Sequence, residues 1–265
     1  MNIEVIPGIN WKYNLKKKIA RIVSLVFDGS ILVIPVFLTV LLKNDNSSAI
    51  GDIIPFFVSL IFLGLLPYLF IVYLYKTKKI CDLQMPNRKE RFLPLIFFNL
   101  SMSAGFVILL LINSSELIKT IYSIYLIGVP ILSFITLFWK ISFHTSYVTV
   151  FSLVYIVVFG KWAFFTVLFI PLMMWARVEL KRHTKAQTIA GITVTGFITL
   201  SVFSLYGKES KIYDFFRNII NSSGSLLTGF GLYTQTYYKD LLFSILIVII
   251  MASAYRIRLN RLCLN

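Results

Sequence analysis

Five long apolar runs dominate this sequence, and each is close to the length that a helix needs to cross a lipid bilayer. Every run holds at least 18 residues with few charges, and together they cover about 22–43, 53–75, 94–112, 119–139 and 187–206. Roughly 20 apolar residues in an α-helix span the hydrocarbon core. We therefore predict that these runs are transmembrane helices.

Shorter apolar runs add to these five. Runs at 147–160 and 162–176 meet at Gly160 and Lys161, and another closes the chain at 241–255. The chain is 58% hydrophobic and 14% charged, whereas a soluble domain is about 45–50% apolar and about 25% charged. The sequence predicts an all-α, multi-pass transmembrane bundle of six to eight membrane helices.

Positive charge alternates with the predicted crossings. If every run crosses, the basic segments share one side: the N-terminus, loop 76–93, the turn at Lys140, stretch 177–185 and the tail at 256–261. By the positive-inside rule this side is the cytoplasm. We expect a basic cytoplasmic segment at 1–21 and a single integral membrane domain at 22–265, in the cell membrane.

The formal net charge of +15 does not indicate a nucleic-acid-binding protein. The Lys and Arg residues stand at the ends of membrane segments, where they fix orientation and meet anionic lipid head groups. No basic and aromatic surface domain remains to bind nucleic acid. We therefore expect the partners of this chain to be the membrane and a lipid.

The only two histidines of the chain stand at predicted helix ends on the basic side. His144 follows Lys140 and Ser142, and His183 follows Arg177 within WARVELKRHTKAQ. Singly, each histidine also fits an interfacial polar residue, and the cations also fit anchors that stop transfer across the membrane. Together they suit a phosphate ester, because cations hold its oxygens while one imidazole attacks and the other protonates the leaving oxygen.

Both clusters resemble signatures of the type 2 phosphatidic acid phosphatase and haloperoxidase superfamily. The run Ala176-Arg177-x5-His183-x3-Gln187 is similar to its third signature, Ser-Arg-x5-His-x3-Asp. The run from Lys140 to His144 resembles its second, Pro-Ser-Gly-His. The resemblance covers about 76–200, with the phosphatase-like core in that range.

The resemblance implies a helical bundle and a role for each matching residue. His183 would form a phosphohistidine, His144 would protonate the leaving group, and Arg177 and Ser142 would contact phosphate. No metal or other cofactor is required in that mechanism. Lys140 is added as a phosphate ligand on its charge and proximity alone.

Two positions depart from the superfamily pattern. Its first signature, Lys-x6-Arg-Pro, is not met, so Arg88 and Arg91 are assigned to phosphate binding by residue type and placement. Gln187 replaces the closing Asp of the third signature. Its amide oxygen can accept the Nδ1 proton of His183, but it cannot stabilise an imidazolium as a carboxylate does. Glu179 or Asp82 are alternative acid partners, and slower or lost catalysis would also fit.

The sequence thus predicts a membrane-embedded phosphatase that hydrolyses a lipid phosphate or a prenyl diphosphate. A lipid phosphotransferase would use the same histidines with a lipid alcohol as acceptor. A membrane prenyltransferase is suggested by Asp82 with Arg88 and Arg91, although a second Asp-rich motif is absent from the sequence. A non-catalytic binding or transport protein is favoured by Gln187 and by Asp28, a carboxylate within the first apolar run.

Overall fold

A computed structural model describes 11–43, 46–83, 85, 88–206, 239–247 and 249–251, without the side chains of 11–14, 46–50, 88 and 89. All regular structure in this part of the chain is helical, which confirms the predicted fold class. The helices are α1 (Trp11–Val26), α2 (Gly29–Lys43), α3 (Asn46–Leu60), α4 (Leu66–Lys76), α5 (Phe92–Leu111), α6 (Glu116–Phe138), α7 (Phe143–Phe159), α8 (Phe169–Glu179) and α9 (Lys185–Tyr206).

Five helical stretches are long and apolar enough to cross a membrane, so the chain is an integral membrane protein. They are Gly51–Lys76, Phe92–Leu111, Glu116–Phe138, Phe143–Glu179 and Lys185–Tyr206. A sixth is formed if the pair α1 and α2 counts as one span. The chain therefore passes the membrane several times.

The apolar run at 22–43 predicted one membrane helix. The structure instead divides this run between α1 and α2. α1 and α2 meet at a bend of 48°. The side chain of Asp28 caps α2, because its Oδ1 accepts a hydrogen bond from the backbone N–H of Ser30 at 3.0 Å. A carboxylate at this position satisfies a free N–H at the start of α2 and faces its positive end. The acidic residue that interrupts the apolar run thus marks where α2 begins.

The stretch Phe143–Glu179 is a hairpin, and Gly160 is its turn. Gly160 has φ 70° and ψ −146°, a conformation outside the helix that a residue with a side chain rarely adopts. The Ser152 hydroxyl donates to the Thr166 carbonyl at 2.8 Å, although 14 residues would be about 21 Å apart along a straight helix. α7 and α8, joined by the 3-10 segment Gly160–Leu168, are therefore antiparallel. This returns the end of α8 to the start of α7.

α7 and α9 run parallel and very close together. The hydroxyls of Thr145 and Ser146 donate to the carbonyls of Thr188 and Gly191, both at 3.2 Å. A Cβ on Gly191 would lie 2.7 Å from the Ser142 carbonyl oxygen, so only glycine allows this approach. The first turns of α7 and α9 consequently lie side by side at one end of the bundle.

A π-helical segment, Ile61–Leu65, joins α3 to α4. In this segment the N–H of Leu66 bonds to the carbonyl of Ile61, five residues earlier. The next N–H in the series would belong to residue 67, which is a proline and has none. The Ser101 hydroxyl of α5 donates to the Phe62 carbonyl instead, at 2.7 Å. Such bulges are frequent at functional sites, and this one brings Leu63 to the pocket described below.

Candidate functional site

His144 and His183 line the same pocket, as their placement on one predicted side suggested. The pocket has a volume of about 150 Å³. Its polar wall contains both histidines with Asp28, Ser30 and Arg91. Its apolar wall comes from the π segment, α4, α5 and α7 and includes Leu63, Pro67, Ile71, Leu95, Phe98 and Phe143. The hairpin brings the two histidines together, because it returns the chain to the end of the bundle where α7 begins.

Gln187 holds His183 in one orientation. Its Oε1 accepts a hydrogen bond from the backbone N–H of Thr184 at 3.1 Å, which fixes the amide with its oxygen toward the turn. The same oxygen lies 3.2 Å from Nδ1 of His183. Nδ1 must therefore carry the proton and donate it, since two acceptors cannot bond to each other. Nε2 of the neutral ring is left with its lone pair.

The turn before α9 also positions His183. After α8 the backbone N–H groups of Lys181 and Arg182 bond to the carbonyls of Val178 and Arg177, at 2.9 and 3.0 Å. These two bonds form a Schellman motif, in which the residue after the cap adopts the left-handed conformation. Here that residue is Lys181, with φ 54°. The chain reverses sharply and sends His183 back over the end of α8.

His183 is uncharged in this environment. Burial lowers its pKa to about 2, and the positive charges of Arg91, Arg177 and Lys140 act in the same direction, followed by His144. The residue is only 6% exposed. A neutral imidazole with a bare Nε2 is the form that can attack an electrophile.

His144 lies in the first turn of α7. Ser142 caps this helix: its hydroxyl oxygen accepts from the N–H of Thr145 at 3.5 Å, and its own N–H donates to the Gln187 carbonyl at 3.3 Å. The Nε2 of His144 is buried and makes no ordinary hydrogen bond among the described residues. Oδ2 of Asp28 lies 3.4 Å from that nitrogen, which is an ion-pair distance.

Arg91 lines the pocket, Lys140 lies nearby, and each of these two cations donates to a backbone carbonyl. The buried Arg91 donates through Nε to the Met85 carbonyl at 2.9 Å, and burial, then Arg182, lowers its pKa to about 10. Lys140 donates to the Arg182 carbonyl at 2.7 Å. Burial, followed by Arg91, Arg177 and Arg182, lowers the pKa of Lys140 to about 8.

Several other residues singled out in the sequence are not part of the pocket lining. Arg177 is 1% exposed and donates to the Ser24 hydroxyl of α1 at 2.6 Å. Ser142, Lys140 and Gln187 support the histidines without lining the pocket. The side chain of Arg88 lies outside the described residues. Asp82 accepts from Arg182 at 2.8 Å and is the partner of that cation.

The sequence interpretation missed Asp28 as a site residue. The sequence pattern indicated Asp28 only as a carboxylate that favours a binding or transport protein, and the resemblance, which begins at about residue 76, does not reach it. The available signal was an acidic residue followed by Gly29 and Ser30 inside an apolar run, which is a helix-capping pattern. The structure brings it to the pocket because α2 starts beside α7: a Cβ on Gly29 would overlap the ring of Tyr147.

Helix ends reinforce the positive character of the pocket. α2, α7 and α9 all begin at this end of the bundle, and the pocket is lined by Gly29 and Ser30 of the first and by Phe143 and His144 of the second. Helix N-termini present unpaired N–H groups and a partial positive charge. With Arg91 and the nearby Arg177 and Lys140, the pocket favours an anion.

No protein-family model matches this chain, and comparison with curated proteins and with solved structures found no match.

Proposed function

We propose that the protein is a phosphatase of membrane lipids, acting on a lipid phosphate or a prenyl diphosphate through a phosphohistidine. The observation that carries the proposal is that the only two imidazoles of the sequence line one pocket, where one has a bare nitrogen and the other faces a carboxylate. Nucleophilic phosphoryl transfer requires such a pair, a neutral attacking group and a proton donor for the leaving oxygen.

The two walls of the pocket support a lipid substrate. The polar wall, with Arg91 and the starts of α2 and α7, suits a phosphate head group. The apolar wall, with Leu63, Leu95 and Phe98, suits a hydrocarbon chain. A substrate with both parts would fill the pocket with its reactive phosphorus near the histidines.

The first chemical step is attack on phosphorus by Nε2 of His183. Its lone pair forms the N–P bond while the bond from phosphorus to the ester oxygen breaks, and the leaving oxygen takes a proton from the His144 imidazolium. The His183 ring, still protonated at Nδ1 and held by Gln187, gains a positive charge. Arg91, with Arg177 and Lys140 nearby, offsets the negative charge on the phosphoryl oxygens.

The second step releases phosphate. Neutral His144 takes a proton from water as its oxygen attacks phosphorus, the N–P bond breaks, and its electron pair returns to Nε2 of His183. Both imidazoles are then as they were before the cycle. The amide of Gln187 orients His183 but carries no charge to stabilise the phosphorylated ring, so we expect slower turnover than a carboxylate would allow.

The proposal is tested by phosphate release from purified, detergent-solubilised protein, with phosphatidic acid and a prenyl diphosphate as substrates and with or without a chelator. His183→Ala should lose hydrolysis, by about 10⁴-fold or more. The matched control is Lys185→Ala, an exposed lysine two positions further along, which should change the rate by less than about twofold.

Three outcomes would redirect or remove the proposal. A His183→Ala variant as active as the unchanged protein would remove it. Transfer of phosphoryl groups to an added lipid alcohol in preference to water would assign a lipid phosphotransferase, which the apolar wall beside the histidines would also serve. Absence of both reactions would favour a binding or transport protein, the role that Gln187 and the missing first signature suggest.

A further inference from the structure

Asp28 connects the break between α1 and α2 to the pocket through its two carboxylate oxygens. Oδ1 caps α2 by accepting from the Ser30 N–H at 3.0 Å, and Oδ2 faces Nε2 of His144 at 3.4 Å. One oxygen therefore fixes the carboxylate to the backbone, and the other lies at ion-pair distance from the imidazole. The separation is longer than an ordinary N–H···O bond and lies within the range of an ion pair.

A carboxylate is an acceptor only, so it selects one form of the neutral His144 ring. Nε2 must carry the proton to interact with Oδ2, and Nδ1 is then the nitrogen without one. The arrangement at His183 is the reverse, because Gln187 keeps the proton on Nδ1 there. The two contacts therefore favour opposite tautomers at the two histidines.

We propose that Asp28 is the positioning residue of His144, holding it as the Nε2–H tautomer and leaving Nδ1 as the nitrogen that exchanges protons with substrate and water. The kinetic part of this assignment rests on the phosphatase function proposed above, whereas the tautomer does not. The superfamily resemblance pairs the third-signature histidine with an acid. In this chain that position is Gln187, and the pocket carboxylate faces the other histidine.

The surrounding charges explain why His144 needs a carboxylate. Arg177 of α8 and Arg91, which precedes α5, both act on it as positive charges, and Asp28 is the negative one. As general acid, His144 must carry a second proton on Nδ1 and become an imidazolium. Asp28 offsets that charge and remains a carboxylate throughout. When Nδ1 gives its proton to the leaving oxygen, the ring returns to the Nε2–H form.

Nitrogen NMR of the full chain in detergent tests the tautomers directly. With ¹⁵N-labelled histidine the spectrum contains only two imidazoles, which His144→Ala and His183→Ala assign. At alkaline pH, where neutral rings dominate, we expect a protonated Nε2 for His144 and a protonated Nδ1 for His183. The chemical shift of an imidazole nitrogen reports whether it carries a proton.

Asp28→Asn should reverse the tautomer of His144. Asn caps a helix as well as Asp does, so its oxygen can stay on the Ser30 N–H while its NH₂ group replaces Oδ2. That group donates to Nε2, which must then accept, and the proton moves to Nδ1. Asp82→Asn is the matched control, with the same charge change beside Arg182, and it should leave both histidine spectra unchanged.

The outcomes separate this assignment from the function. A His144 that is protonated on Nδ1 in the unchanged protein, or a tautomer that Asp28→Asn leaves as it was, would overturn the role of Asp28. An unchanged His183 spectrum in Asp28→Asn shows that the pocket is still folded. If the tautomers are as expected and no phosphate is released from any lipid, the phosphatase proposal fails and the positioning of His144 by Asp28 stands.

If the phosphatase proposal holds, kinetics give a second measurement. Asp28→Asn should reduce kcat on a lipid phosphate by about 10- to 100-fold, because the imidazolium loses its counter-charge. The loss should be small on an aryl phosphate whose leaving group needs no proton. Equal losses on both substrates would assign Asp28 to folding alone.

Discussion

The two histidines of the pocket have contrasting supports. His183 is held by Gln187, four residues further along the chain, within one turn that also contains Thr184. His144 faces Asp28, which comes from the bend between two other helices. A contact within one turn follows from local sequence, whereas a contact between distant segments exists only when the bundle is assembled. The partner at Gln187 could be predicted from spacing, and the partner at Asp28 could not.

The supports also differ in charge. An amide keeps a neutral ring oriented, and a carboxylate additionally stabilises a positive one. His183, with its pKa lowered to about 2 by burial and then by Arg91, is kept neutral. In the proposed mechanism these environments suit His183 to be the nucleophile and His144 to be the acid, and the experiments below test each role.

The largest difference should come from removing each ring in turn. His183→Ala should lose phosphate release from every substrate and leave no covalent phosphohistidine. His144→Ala should lose about 10²- to 10⁴-fold on a lipid phosphate, but less than about tenfold on p-nitrophenyl phosphate, whose leaving group needs no proton. Steady-state rates and mass spectrometry of the quenched protein measure both effects. If His144→Ala lost as much activity on p-nitrophenyl phosphate as on the lipid phosphate, the role of His144 as proton donor would be contradicted.

Pushing α7 and α9 apart should destabilise the whole site. Gly191→Ala places a Cβ 2.7 Å from the Ser142 carbonyl oxygen, between the first turns of α7 and α9. We expect a loss of about 1–3 kcal/mol in the free energy of unfolding, seen as a lower Tm in detergent. Gly196→Ala is the control, because its nearest neighbour would be 3.8 Å away. Alanine there should stabilise the helix by about 0.5–1 kcal/mol. Similar Tm values for both variants would show that α7 and α9 are not packed this closely.

Replacing the amide by a carboxylate should make the two supports alike. Gln187→Glu preserves the side-chain length and the acceptor for the Thr184 N–H and for Nδ1 of His183. The added charge stabilises the ring when phosphorus is attached, so kcat should rise by about tenfold. Gln187→Ala removes the acceptor and should lower kcat. An unchanged or lower kcat for Gln187→Glu would show that formation of the phosphohistidine does not limit turnover.

The pH profile should show the smallest effect. Burial lowers the pKa of His183 to about 2, so this ring is neutral around pH 7 and gives no acid limb there. Lys140 has its pKa lowered to about 8, so it is charged below that value and neutral above it. If its charge supports phosphate binding, kcat/KM should fall several-fold as the pH rises through about 8. Lys140→Arg should weaken this fall, because a guanidinium keeps its proton, whereas loss of the His144 proton lowers kcat/KM in both proteins. The same profile in both proteins would assign the whole fall to His144.

The sequence determined the class of fold because the length of an apolar run is a local property. Runs of about 20 residues predict spanning helices without reference to neighbours. The same locality explains why Gly160 could be interpreted as the boundary between two short runs and why Gln187 could be placed beside His183. Each of these predictions depends on residues within a few positions of one another.

Only the tertiary structure decided which distant groups meet. The hairpin at Gly160 and the glycine contact at Gly191 bring His144 and His183 to one pocket. The start of α2 adds Asp28, and the packing of α1 against α8 places Ser24 on Arg177. None of these contacts has a fixed spacing in the chain, because helix packing depends on the shapes of two surfaces and not on the distance between them in sequence.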